Sequence, residues 1–102
     1  MGFFKREKKT KLKDIVEFHG KRVSYAVEIL DGKEKVLGRN GGISVNGDCV
    51  ALLLEAKEVF RCSVKNIKMG TLMSGNGADI TGFDENENRQ RHIIAYYSNL
   101  RQ

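Results

Sequence analysis

The most constraining stretch of this chain is residues 43–64, ISVNGDCVALLLEAKEVFRCSV, which joins its most apolar run to two turn signals that fold the run back on itself. Asn46-Gly47 between apolar segments predicts a hairpin, because both central residues of a type I′ turn need positive φ. Glu55-Ala56-Lys57-Glu58 predicts a second turn of about four residues, pairing Leu54 with Val59. In that register Cys49, Ala51 and Leu53 share a face with Val64, Cys62 and Phe60, while Val50, Leu52 and Leu54 point the other way. A strand apolar on both faces belongs at the centre of a closed or doubly covered β structure.

The flanking sequence reads as more strands. DIVEFH, the turn His19-Gly20-Lys21 and RVSYAVEIL predict a hairpin, with Val23, Tyr25, Val27 and Ile29 alternating against Ser24, Ala26 and Glu28. Asp31-Gly32 closes it. Residues 35–39 predict a short strand ending in a chain reversal at Asn40-Gly41-Gly42. Residues 66–73 fit either an edge strand or one helical turn, and Ser74-Gly75-Asn76-Gly77 is a loop by composition. ADITGFD and RHIIAYYS make a last hairpin around the polar turn at residues 84–88. The expectation is an all-β fold: a small single-domain barrel or sandwich of about seven to eight mostly antiparallel strands over residues 14–98. A flexible, disordered basic arm at residues 1–13 precedes it and a tail at residues 99–102 follows.

Charge separates the arm from the body. The chain of 102 residues carries a net charge of +5, and residues 1–13 hold six Lys or Arg against one Glu. Removing those from the totals of 18 basic and 13 acidic residues leaves twelve of each, so the body is formally neutral. Lys5, Arg6, Lys8, Lys9, Lys11 and Lys13 are therefore the candidate anion-binding residues. Phe3 and Phe4 at the tip are the candidate membrane contacts. A polybasic segment gains roughly 1 kcal/mol per Lys or Arg at an anionic bilayer. The blander reading of the same run is a solvated tail that aids solubility. Gly2 is not read as a myristoylation site, because Arg6 stands where that signal needs Ser or Thr.

No run approaches the roughly 20 apolar residues that cross a bilayer, and the basic N-terminus lacks the apolar stretch of a secretory signal. The expected location is the cytoplasm, peripheral to the membrane where the arm engages it. In the register above the two cysteines are diagonal neighbours roughly 7–8 Å apart, too far for a disulfide, and read as small core hydrophobes. Asp84, Asn86 and Asn88 open like a calcium loop, but Arg89 replaces the glycine and Ala95 the bidentate glutamate that such a loop needs. Gly75-Asn76-Gly77 lacks the helix that would make it a phosphate cradle. His19 in a turn and His92 on a strand have no third ligand at useful spacing and no nucleophile placed to be activated. No metal, cofactor or enzymatic activity is expected.

Residues 43–98 resemble the middle and end of a bacterial pleckstrin-homology or GRAM-like domain. The resemblance rests on VALLL, the hairpin into EVFRCSVKNI, the glycine loop, ADITGFD and the last strand IIAYYS. It implies a small β-barrel with an open end plugged by an amphipathic helix. A fainter likeness to the PilZ fold lacks that fold's nucleotide-binding signature, since Lys68 stands for its serine and Thr71 for its last glycine. The functional expectation is a non-enzymatic binding or adaptor module, docking an anionic membrane surface or a protein partner through the arm. One alternative is an oligonucleotide binder that stacks bases on Tyr25, Tyr96 or Tyr97 near Arg61 and Arg91, with only one of the adjacent tyrosines free. The other is a structural subunit that self-associates through an edge strand such as residues 35–39.

Overall fold

The computed structural model describes residues 10–98. Seven antiparallel strands run β1 Arg22–Leu30, β2 Lys33–Asn46, β3 Cys49–Leu54, β4 Lys57–Ser63, β5 Ile67–Thr71, β6 Gly77–Asp84 and β7 Arg89–Tyr97. They form one sheet of order β4-β3-β2-β1-β7-β6-β5, so the domain is all-β. The sheet curls until β4 comes over β6: the Glu85 N–H donates to the Arg61 carbonyl at 2.7 Å, and the Arg61 N–H donates to Asp84 Oδ1 at 3.1 Å. Ala26, Ala95 and Ala78 form a buried cross-strand row on the concave face, where small side chains leave room for the bend. Around that row Ile43, Leu52, Leu54, Phe60, Ile80 and Ile93 fill the core.

The central hairpin forms, but its turns and register differ from the expectation. Asn46 remains in the strand opposite Cys49, and Gly47 at φ 61° is the only loop residue with positive φ. The loop is therefore Gly47-Asp48 in the manner of a type II′ turn, one position later than the type I′ reading. The second turn has two residues, not four. Glu55 and Ala56 both have positive φ, 54° and 66°, and Leu54 pairs with Lys57 instead of Val59. A bulge after Leu52 then sets Leu52 opposite Phe60. Val50, Leu52 and Leu54 consequently point inward with Phe60 and Cys62, while Cys49, Ala51 and Leu53 stay half-buried on the outer face. Thus β3 is second from the sheet edge and buried on one face only. The cysteines lie on opposite faces, and only Cys62 is a core residue.

Three further segments depart from expectation. Residues 14–19 are not a strand: α1, Leu12–Ile15, continues into a 3₁₀ turn, Val16–Phe18. The spacing of three places Ile15 and Phe18 on one helical face, and both are buried. The β-branched pair Ile15-Val16 favours extended chain locally, and burial of that face overrides it. The expected arm boundary at residue 14 thus falls inside α1. The chain also does not reverse at Asn40-Gly41-Gly42. β2 continues through it in the same direction with Asn40 at φ 52°, and Gly41 is needed because a Cβ there would stand 1.7 Å from the Leu53 carbonyl oxygen. Finally, register shifts in β1 between Val23 and Tyr25 break strict alternation, so Val23, Ala26 and Glu28 all turn inward. The ambiguous residues 66–73 resolve into a 3₁₀ turn, Val64–Asn66, and the edge strand β5.

Candidate functional site

The curled sheet has two mouths. The first is covered by α1 and the 3₁₀ turn after it, held to β2 by Gly20 N–H donating to the Ile43 carbonyl at 2.8 Å and Ile43 N–H donating to the Lys21 carbonyl at 3.0 Å. His19 Nδ1 accepts from the Val45 N–H at 2.8 Å, so this histidine latches the helical segment to β2. Thr10 ties the entering chain to β5: its hydroxyl donates to the Met69 carbonyl at 3.1 Å and accepts from the Met69 N–H at 2.7 Å. While Ile15 and Phe18 face the core, Leu12 and Val16 are 51% and 48% exposed. Lys11 and Lys13 flank them on the surface, together with Asp14 and Glu17. The remaining expected site residues, Phe3, Phe4, Lys5, Arg6, Lys8 and Lys9, lie outside the described residues.

An ionic cluster closes the second mouth. Arg91 on β7 is buried, and it donates through Nη2 to Glu28 Oε1 at 2.7 Å, through Nε to Glu28 Oε2 at 3.1 Å, and through Nη1 to Asp84 Oδ2 at 2.6 Å and the Val59 carbonyl at 3.0 Å. Both carboxylates are buried as well. Arg89, two residues along the same strand, adds Nη1 to Glu28 Oε2 at 3.0 Å, and Asp84 Oδ1 also accepts from the Asn86 N–H at 3.0 Å. The Arg91 guanidinium holds the Glu28 carboxyl below its ordinary value of 4.5, against the opposing push of burial. Burial works against the Arg91 charge, but its bonds to Glu28 and Asp84 outweigh that and raise its pKa. Each of the three buried side chains is thus engaged by at least two of its polar atoms. The cluster is a structural lock. Sequence reading missed it because alternation put Glu28 on the wet face, and the signal that marks it is the pair Arg89 and Arg91 at same-face spacing.

The outer face of the sheet carries an aromatic pair. Tyr25 and Tyr96 sit opposite one another on β1 and β7 with ring centroids 4.8 Å apart and planes 24° from parallel. Tyr97 turns to the other face, where Lys21 Nζ lies 5.3 Å from its ring centroid and its buried hydroxyl has no partner among the described residues. The cations expected beside the tyrosines are elsewhere: Arg91 is in the lock, and Arg61 pairs with Glu58 at 2.9 Å on the outer side of β4. Arg39, directly opposite Tyr25 on β2, takes that place. Ser24, Tyr25, Val36, Arg39 and Asn40 line a shallow hollow there of about 350 Å³.

The other sequence candidates resolve into local structure. His92 Nε2 lies 2.8 Å from Asp79 Oδ1 on the exposed face of β6 and β7. Asp84 is committed to Arg91, so the acidic turn that follows it is built around an ion pair. Burial pushes the Cys62 thiol up to about 11, whereas Cys49 Sγ accepts from Arg61 Nη1 at 3.0 Å. Among the described residues no group of three or more His, Cys, Asp or Glu is placed to hold a metal ion. No helix among them is long and apolar enough to cross a membrane. No protein-family model, curated protein or solved structure matches the chain.

Proposed function

We propose that the protein is a non-enzymatic adaptor module that docks on an anionic membrane surface through its basic N-terminal segment and the helical turn that follows. The observation that carries this reading is the half exposure of Leu12 and Val16, four residues apart on the helical cap and flanked by Lys11 and Lys13. A helix that covers a core gains nothing from apolar side chains on its outer face, so the pair calls for an apolar environment from outside. Apolar insertion beside polybasic charge is the combination that gives reversible attachment to an acidic bilayer. Six cations in residues 1–13 supply the long-range attraction, and the neutral body adds no opposing net field. The resemblance of residues 43–98 to pleckstrin-homology-like domains fits the same role.

Vesicle co-sedimentation of the full chain tests it. Binding is expected to vesicles containing about a third phosphatidylserine and to fall steeply with salt, as an electrostatic attachment must. The double variant Leu12→Gln, Val16→Gln removes two partly inserted side chains, each worth up to roughly 1.5–3 kcal/mol when fully buried, and is expected to weaken binding at least tenfold. Because both residues are about half exposed, the variant is expected to unfold thermally as the parent does, which circular dichroism checks. Unchanged affinity in the variant refutes insertion of the cap, and loss of salt dependence refutes the polybasic attachment.

A further inference from the structure

We propose that the first half of β2, residues 33–39, is a docking edge that captures an extended acidic segment of a partner protein as an added β-strand. The strand β2 has 14 residues, yet β3 pairs with it only from Gly41 to Asn46, while β1 pairs with it from Lys33 to Gly42. At the junction the Asn40 carbonyl accepts from the Glu55 N–H at 3.1 Å. Before that point the side of β2 facing away from β1 has no strand beside it among the described residues. Seven residues at about 3.3 Å each leave an open edge of roughly 23 Å, enough for a short peptide strand.

Two independent features identify the occupant. The first is charge: Lys33, Lys35 and Arg39 stand against a single acid, Glu34, all of them exposed. Two such edges repel one another, which disfavours a second copy of this chain, and an edge with excess cations selects an acidic strand. The second is the hollow at the end of this edge. Val36 at 60% exposure and Tyr25 at 39% offer apolar contact beside the Arg39 guanidinium, so an added strand would lay alternate side chains over them. Main-chain pairing with pockets for alternate side chains is how sheet edges combine affinity with specificity. The bulge at Leu37, between the paired positions Val36 and Gly38, restricts the register such a strand adopts. This surface does not involve α1, so the inference stands apart from the membrane reading.

Amide hydrogen exchange on the full chain tests the proposal, with a blocked seven-residue peptide of alternating Glu and Val as the probe and its Glu→Lys counterpart as the control. The acidic peptide is expected to slow exchange within residues 33–39, and the basic peptide to leave it unchanged. Lys33→Glu with Arg39→Glu is expected to weaken acidic-peptide binding at least tenfold and to admit the basic peptide, while thermal unfolding stays that of the parent because both positions are exposed and pair with Leu30 and Tyr25. Leu12→Gln with Val16→Gln is expected to leave peptide binding intact. Absence of protection at millimolar peptide, protection confined to residues 10–18, or affinity unchanged by the charge reversal overturns the proposal. So does slowed exchange at residues 33–39 that grows with protein concentration in the absence of peptide, which would assign the edge to a second copy.

Discussion

The two mouths of the curled sheet are closed by opposite chemistry. At one, α1 and its 3₁₀ turn press Ile15 and Phe18 into the core and leave Leu12 and Val16 outside. At the other, Arg91 ties Glu28 and Asp84 together inside the protein, and β4 is drawn over β6 by one main-chain bond from Glu85 to Arg61 and one bond from the Arg61 N–H to the Asp84 carboxylate. An apolar closure is indifferent to pH and forgiving of small shifts. An ionic closure demands fixed geometry, because each buried charge is costly once a partner moves. The contrast gives the mouths different physical character: the ionic end holds the curl of the sheet through fixed charge pairs, and the helical end leaves Leu12 and Val16 half exposed.

The largest effect expected is at the ionic end. Arg91→Ala leaves two buried carboxylates without their shared cation and is expected to cost about 3–5 kcal/mol in denaturant unfolding, a large part of a small domain's stability. Ile15→Ala at the helical end removes a fully buried side chain and is expected to cost about 2–4 kcal/mol. The two variants separate by pH. Because the folded-state pKa of Glu28 is depressed, its contribution is fully present above the ordinary carboxylate range and is lost as pH falls through the lower folded value. The stability gap between the parent and Glu28→Gln is therefore expected to narrow below about pH 4.5, whereas the gap to Ile15→Ala stays constant. A gap between parent and Glu28→Gln that does not change with acid would break the comparison.

A smaller effect lies at the β3–β4 turn, remote from the chemistry of either mouth. Glu55 and Ala56 both occupy the left-handed region, where an L side chain is disfavoured and glycine is not. Ala56→Gly is expected to stabilise the fold by about 0.5–1 kcal/mol, read as a rise in the denaturation midpoint with unchanged slope.

How far these regions were legible in the sequence follows from how local their causes are. Alternation in RVSYAVEIL and IIAYYS and the turn residues Asp31-Gly32 carry the strand assignments, because pleat and turn geometry act between neighbours. The helical cap was misread because Ile15-Val16 looks extended locally, and only the core beneath makes three-residue spacing pay. The lock was hidden by one irregularity: the bulge at Ser24 turns Ala26 and Glu28 inward, and no turn residue announces it. Gly41-Gly42 signalled a reversal, yet Gly41 serves the close approach of β3, a cause lying twelve residues away at Leu53. Of the proposed docking segment, the basic residues are a reading of charge alone, and of them only Lys11 and Lys13 fall within the described residues. The exposed Leu12 and Val16 emerged only with the helix, and the pairing of Arg39 with Tyr25 only with the register of β1 and β2.

The contrast between the mouths is tested most directly by amide hydrogen exchange of the full chain with and without phosphatidylserine vesicles. Slowed exchange is expected in residues 11–18 on vesicle addition, with the turn at residues 84–89 over the ionic lock unchanged. Protection at residues 84–89, or no vesicle-dependent change in residues 11–18, would contradict it.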